Sequence, residues 1–523
     1  MRRTLILTVI LVGITTAAAA QPFRRGPFLQ QLNTDSIVVV WETTSSTDGR
    51  VEYGLDSNYG QTVTDPDSGT HHELSLTGLS ASTTYHYKVV SNGVESPDCT
   101  FATAPAGREP FRFVVFGDNR DEDGDHSNHE ALIPAIIVEN PEFIINTGDM
   151  VDVGIFNSMW DKFFEIEFEL LRNVPLWPTF GNHEQYDFAN TQYRGLFSLP
   201  LHTDNQERRY YDFRYSNCHF IIFNTHDIIY GTWLSSDQQT YIESKLASVA
   251  ADPAVEHIFL VGHHGPYSSS NHGGSSTIRN FVEGLTQLNR IDYFFSGHDH
   301  TYERWEADTG LKGFVTGGGG AGLYSQDDPG ASYSKFYVKD YHYLLVEVAG
   351  DWVRVCPRYQ DGSPLEACLE TGVQPDECNS PADCDGFPHD PCPGSFSCEN
   401  NLCIWTCDST EPDGGEPDGG FDAGEQDAGA DQGPDGADQG GPQDHDDGST
   451  AVDQDQPDAG DLGPADDQPS DSGAADEDPL SDSGPTTDQD QPAASGCGCA
   501  SADYPNPIGA LIFLAAFIRR RKR

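Results

Sequence analysis

Between residues 24 and 105, apolar and polar positions alternate in short runs at 36–41, 49–53, 72–76 and 84–90, separated by turns rich in Asp, Ser, Gly and Thr. A period of two puts every second side chain on one face. Each run therefore predicts a half-buried strand, and several such strands in series predict a small β-sandwich. From Pro110 the pattern changes: the apolar runs at 113–116, 143–146, 220–223, 258–261 and 293–295 are continuous, and each ends in a polar cluster. Helical spacing fills several intervals, as at 129–139 and 236–251. Strands apolar on both faces, with helices between them, predict a layered α/β domain whose site lies along the polar ends of the strands. The stretch from 110 to 355 is long enough for one such core.

The ends of the chain follow other rules. Arg2 and Arg3, the apolar stretch 5–14 and the alanines 17–20 have the order of a cleavable secretory signal, which predicts a mature chain starting near Gln21. A retained anchor needs ~20 apolar residues, and this run is shorter. Eight of the 12 cysteines lie between Cys356 and Cys407. In an exported protein that density predicts a disulfide-stapled module whose pairing the sequence leaves open; a zinc ribbon is the rival, but its paired Cys-x-x-Cys units are missing.

Net charge is −54, and residues 408–495 hold 27 Asp and Glu with no Lys or Arg, so half of the excess sits in one tract. With so few aromatic or β-branched residues to offset chain entropy, that tract predicts a disordered acidic spacer. No basic face is apparent to neutralise a phosphate backbone, so nothing in the composition indicates specific nucleic-acid binding. After Gly496-Cys497-Gly498-Cys499 come the apolar run 508–518 and a basic end, Arg519 to Arg523. The run is too short for a stable span, and the basic end would stay cytoplasmic during export. The arrangement resembles the C-terminal sorting segments of myxobacterial surface proteins, which implies an outer-surface location and a transient membrane contact. The expected organisation is a signal peptide at 1–20, a sandwich at 21–107, an α/β catalytic domain at 108–355, a Cys-rich module at 356–407, an acidic linker at 408–495 and a sorting segment at 496–523.

Five polar clusters follow strand ends in order: Gly117-Asp118-Asn119-Arg120, Gly148-Asp149-Met150-Val151-Asp152, Gly181-Asn182-His183-Glu184, Gly262-His263-His264 and Gly297-His298-Asp299-His300. Each supplies oxygen or nitrogen donors suited to Zn, Fe or Mn rather than Ca. A single Gly-Asp after a strand is often only a capped turn, but five in series predict a metal site.

The order and spacing resemble the calcineurin-like metallophosphoesterase superfamily, and the phrase from Gly297 through Thr301, Tyr302 and Glu303 to Arg304 is similar to that of its purple acid phosphatase branch. Gly26-Pro27-Phe28-Leu29-Gln30, Val51-Glu52-Tyr53-Gly54, Leu76-Thr77-Gly78-Leu79 and Thr84-Tyr85-His86-Tyr87 resemble the fibronectin type III-like domain that precedes the catalytic domain in that branch. The resemblance implies an all-β sandwich followed by a two-sheet α/β/β/α metallophosphoesterase sandwich holding two transition metal ions, Fe, Zn or Mn. Carried over by position, Asp118 and His300 would hold one metal, Asn182, His263 and His298 the other, and Asp149 would bridge them. His183 and His272 match substrate-contacting histidines. One carboxylate can hold two cations ~3.5–4 Å apart, and metal-bound water ionises near pH ~7, giving a hydroxide that attacks phosphorus in line. The metals also neutralise charge on the phosphoryl oxygens. The implied function is a secreted or surface-exposed, acid phosphatase-type dinuclear phosphoesterase acting on phosphate monoesters, its partner a phosphorylated small molecule or polymer.

Two departures concern the same metal. Purple acid phosphatases carry a Tyr three residues after the bridging Asp, where Asp152 stands here; other members of the superfamily place a His two residues after the first Asp, where Arg120 stands. Asp152 is thus a candidate to complete the first site, and Arg120, unable to ligate, a candidate clamp for a phosphoryl oxygen. His264 reads as a neighbour of the metal rather than a ligand, and His126 and His129 as loop residues. His71 and His72 read as surface residues before a strand, the glycines at 317–320 as a tight turn near the site, and Cys99 and Cys218 as buried thiols or one bridge. The alternatives are a phosphodiesterase or nuclease on the same metals, or a surface-binding protein with a vestigial site.

Overall fold

The computed structural model describes residues 22–120, 124–187, 191–201, 208–225, 234–286 and 290–372, with the backbone of 394–399 and 402–407. The expected signal peptide, acidic linker and sorting segment lie outside the described residues, as do Cys378, Cys384 and Cys392.

The N-terminal unit is a β-sandwich. One sheet orders Phe23–Gln30, Ser36–Thr47 and Gly69–Thr77; the other runs from Gln61–Thr64 through Gly49–Gly54 to Thr84–Ser91, which also pairs with Val94–Glu95 and Cys99–Ala102. Trp41, Leu76, Tyr87, Val89 and Phe101 are buried in its core. His72 corrects the expectation of a surface histidine. It lies inside a strand, fully buried, stacked on Trp41 with ring centroids 4.7 Å apart, its Nδ1 2.8 Å from Asp65. An amphipathic ring satisfies the apolar interior with its face and the carboxylate with its edge.

The second unit layers two sheets. The first orders Leu176–Pro178, Phe143–Asn146, Phe111–Phe116, His342–Ala349, Trp352–Tyr359 and Leu369–Thr371. The second orders Tyr211–Tyr215, Cys218–Phe223, His257–Gly262, Tyr293–Ser296, Lys312–Thr316, Tyr302–Glu306 and Ser334–Val338. Alternation within single strands explains the layering. Phe220, Phe259 and Phe295 meet Phe113 of the first sheet at ring distances of 5.2, 5.8 and 6.5 Å. Their neighbours Ile221, Leu260 and Phe294 face a second core with Ile242 and Leu246 of the helix Ser236–Ala250 and with Ile278 and Val282 of the helix Ser276–Thr286. Both faces are therefore covered, which is why these strands read as continuous apolar runs. The helix Ser127–Glu139 packs against His342–Ala349 of the first sheet.

The sheet does not stop at Val355. The strand Trp352–Tyr359 carries Cys356, which is disulfide-bonded to Cys368, and Leu369–Thr371 adds a further strand. Arg354 and Arg358, pairing with Glu347 and Glu139, give that strand its polar appearance. Cys99 and Cys218 are buried free thiols.

The two units share a buried seam. Phe28 packs on Phe164 at 4.7 Å, and Arg25, whose side chain is 1% exposed, donates to Asp161, Glu42 and the carbonyl of Asn157, each at 2.8 Å.

Candidate metal centre

Four of the five clusters leave the C-terminal ends of parallel strands: Phe111–Phe116, Phe143–Asn146, His257–Gly262 and Tyr293–Ser296. The Asn182 loop follows Leu176–Pro178, which is parallel to Phe143–Asn146. All five converge. Asp118, Asp149 and His298 adopt left-handed backbone with φ of 58°, 52° and 69°. Such conformations cost ~1–3 kcal/mol each and persist where surrounding structure over-determines them, commonly at functional sites. The glycines make room: a Cβ on Gly297 would lie 2.2 Å from Asp118 Oδ2, and Gly148, at φ 102°, would bring one within 2.8 Å of His263 Nδ1.

Three expected ligand atoms come together. Asn182 Oδ1 lies 2.9 Å from His263 Nε2 and 3.1 Å from His298 Nδ1, and His263 Nε2 lies 3.3 Å from Asp149 Oδ1. His263 donates Nδ1–H to the Thr147 carbonyl at 2.9 Å, and although burial opposes it Asp149 raises the imidazole to about 9, so a metal at Nε2 takes the place of a proton there. Burial and the nearby His264 hold His298 well below the ordinary imidazole range, in the neutral form that ligates. Ligands at ~2.1 Å from one ion stand ~3.0–3.4 Å apart, so this set fits a transition metal.

The other end of the site differs. His300 donates Nδ1–H to Gly322 at 2.7 Å, so that its Nε2 lone pair faces inward, 3.6 Å from Asp118 Oδ1. Between these donors runs Arg120, 5% exposed: Nη2 lies 3.5 Å from His300 Nε2, Nε 3.7 Å from Asp149 Oδ2 and Nη1 3.5 Å from Asp152 Oδ1. A metal in the first position does not fit this arrangement as the second does. Burial pushes the Asp118 carboxyl well above its usual range, with His263 opposing and Asp149 adding to it. At Asp149 burial is outweighed by His263 and His183, which hold it well below its usual range, so Asp118 is the carboxylate that needs a cation to ionise.

The expected substrate histidines flank the cluster. His183 donates Nδ1–H to the Asp152 carbonyl at 2.6 Å and turns Nε2 toward Asp149 Oδ2, 3.8 Å away. Its pKa is raised: burial opposes this, and Asp149 and Asp152 outweigh it. His272 packs its ring 4.3 Å from that of His298 and is fixed by Asp299, which accepts from its backbone N–H at 2.9 Å and stands 3.1 Å from its Nδ1. His264 stacks on His298 at 3.9 Å, with Nδ1 3.4 Å from the Thr225 hydroxyl. His129 pairs with buried Glu167 at 2.8 Å, and His126 precedes the helix; neither joins the cluster. The glycines at 317–320 approach the site as expected, Gly319 donating its N–H to Gly117 O, but their backbone hydrogen bonds run to distant loops rather than closing a tight turn.

Glu184 acts on the backbone of the site rather than on a metal. Fully buried, it accepts the backbone N–H groups of Gly181, Asp149 and Met150 at 2.8, 2.9 and 2.9 Å, tying the Asp149 and Asn182 loops together. Tyr324 stacks on His300 at 4.2 Å. Position next to His183 was the only sequence signal for the first, and none existed for the second.

The fold and this cluster define the class. Residues 27–103 match the family described as Purple acid Phosphatase, N-terminal domain, and residues 111–302 match Calcineurin-like phosphoesterase. The chain thus carries a purple acid phosphatase N-terminal β-sandwich followed by a metallophosphoesterase α/β domain, the domain of metal-dependent phosphoesterases. It is 27% identical over 254 residues to purple acid phosphatase 22 of Arabidopsis thaliana, covering 46% of this chain and 54% of that protein. The chain therefore spans about half the length of that curated relative. Among solved structures, a purple acid phosphatase from yellow lupin (Lupinus luteus) seeds superposes with a TM-score of 0.57 at 20% identity, covering 66% of this chain and 73% of that one. PhoD superposes at 0.51 with 12% identity, covering 75% and 94%. These two likenesses bear on the fold, while the domain families imply a dinuclear metal centre and a phosphorylated substrate.

Proposed function

We propose that this protein is a secreted or surface-exposed acid phosphatase-type enzyme that hydrolyses phosphate monoesters. The observation that carries the reading is the meeting of Asn182 Oδ1, His263 Nε2 and His298 Nδ1 beside the Asp149 carboxylate. A transition metal bound there supplies Lewis acidity and an activated water. Asp149, anchored from behind by Glu184, holds its carboxylate toward that position. His183, 14% exposed and oriented through Nδ1, presents Nε2 to the leaving oxygen and can protonate it. His272, 29% exposed, sits at the rim, where it can hold a phosphoryl oxygen. Export rests on the signal-like order of residues 2–20, and a membrane contact on the C-terminal segment. Among the described residues no helix is long and apolar enough to cross a membrane.

The test compares rates on p-nitrophenyl phosphate and its bis ester with Zn, Mn or Fe supplied. A preference for the monoester, with losses on the order of 10²–10⁴-fold in His183→Ala as expected for removal of a general acid, supports the reading. Preference for the diester would move the protein to the phosphodiesterases, and no turnover of either would favour the vestigial site. N-terminal sequencing of exported protein is expected to begin near Gln21.

A further inference from the structure

We propose that the guanidinium of Arg120 stands in for the first metal, so that the chain holds one transition metal ion, at Asn182, His263, His298 and Asp149. This rests on the phosphoesterase reading above. Among the described residues, three-member groups of His, Cys, Asp and Glu donors within 4.8 Å of one another are Asp118, Asp149 and His263, and His263, His264 and His298. His300, the imidazole expected at the first metal, belongs to neither. What faces its Nε2 lone pair is Arg120 Nη2 at 3.5 Å, while Nε of the same guanidinium turns to the second oxygen of the bridging Asp149 at 3.7 Å. One planar group thus addresses two of the three ligands that a first metal would take.

Charge points the same way. An arginine stays protonated in any protein setting, so its cation is permanent. Asp118, Asp149 and Asp152 bring three negative charges to this wall of the site, and Arg120 with one divalent ion balances them. A second divalent ion would sit against this buried guanidinium, whose like charge opposes it. Asp152 cannot readily turn to such an ion, because its carboxylate lies 3.5 Å from both Arg120 Nη1 and His183 Nδ1. The arrangement keeps a function for the position. A guanidinium presents fixed N–H donors to a phosphoryl oxygen and stabilises charge there without a Lewis acid.

The test is the metal content of the full chain, saturated with Zn or Mn, freed of unbound ions and measured by elemental mass spectrometry. We expect one ion per chain in the parent and two in Arg120→His. With Mn, the parent should give the paramagnetic resonance spectrum of an isolated ion and the variant that of an exchange-coupled pair. Two ions or a coupled pair in the parent would overturn this proposal while leaving the phosphoesterase reading intact; no tightly held ion would overturn both. Should Arg120→His fail to fold, the parent's stoichiometry decides alone. A folded Arg120→His that still holds one ion would also count against Arg120 as the cause.

Discussion

Replacing Glu184 should damage the protein twice, in stability and in metal affinity. Its carboxylate accepts three backbone N–H groups in a fully buried setting: Oε2 takes those of Gly181 and Asp149, and Oε1 that of Met150. In Glu184→Ala all three donors lose their acceptor, and each unsatisfied buried group costs ~1–3 kcal/mol, so a loss of ~3 kcal/mol or more is expected even if water enters the gap. In Glu184→Gln the remaining carbonyl can serve the two donors at Oε2, while the amide NH2 opposes Met150 N–H; one group is left unsatisfied, for a loss of ~1–3 kcal/mol. Because the same bonds hold the Asp149 loop against the Asn182 loop, metal affinity should fall ~10–100-fold, as it does when groups that orient ligands are removed. Urea unfolding of metal-free protein and competition against a chromophoric chelator measure the two effects. If Glu184→Ala unfolds at the parent's midpoint and binds metal as tightly, the role assigned to this residue is wrong.

Other expectations follow from particular contacts. Iron-loaded protein should lack the strong visible band of tyrosinate bound to ferric iron, because Asp152 stands where the purple enzymes carry their tyrosine; a purple colour would refute that assignment. His71 is raised to about 9, burial opposing and Glu42 and Glu73 prevailing. The stability it contributes is therefore complete below its ordinary value of 6.5 and is lost as pH rises through about 9. Glu73, in turn, is held down to about 2. His71→Gln should be less stable than the parent at pH 6 and indistinguishable at pH 10, and a gap that widens with pH would contradict this. Arg25→Ala strips a buried cation from Asp161 and Glu42 at the seam between the two units; Asp161 is 39% exposed and keeps Arg24, so the loss expected is that of charged hydrogen bonds, ~1.5–3 kcal/mol. Calorimetry should show a lower melting temperature, and an unchanged one would exclude a structural role for the seam.

What could be read in the sequence was whatever depends on short range. Continuous apolar strands at 143–146 and 293–295, and the helix from Ser236, emerge where the pattern put them, because burial on both faces and local spacing decide these elements. The candidate ligands were legible because donors must sit where a strand ends and a tight turn begins. Long-range features were not legible. The strand Phe23–Gln30 is hidden because Gly26-Pro27 breaks its alternation and because Arg24 and Arg25 look like surface residues while serving the seam. Glu184 acts on backbone atoms 34 and 35 residues away, which no local pattern encodes. The sequence exposed Arg120 as a departure from the family but not its position between His300 and Asp149, which depends on two loops 180 and 29 residues farther along the chain.

Anomalous diffraction from crystals of the full chain grown with zinc tests the central claim most directly. The account predicts a peak ~2.0–2.2 Å from Asn182 Oδ1, His263 Nε2, His298 Nδ1 and an oxygen of Asp149. An empty cluster at saturating zinc, or an ion held elsewhere with these four side chains turned away from one another, would contradict it.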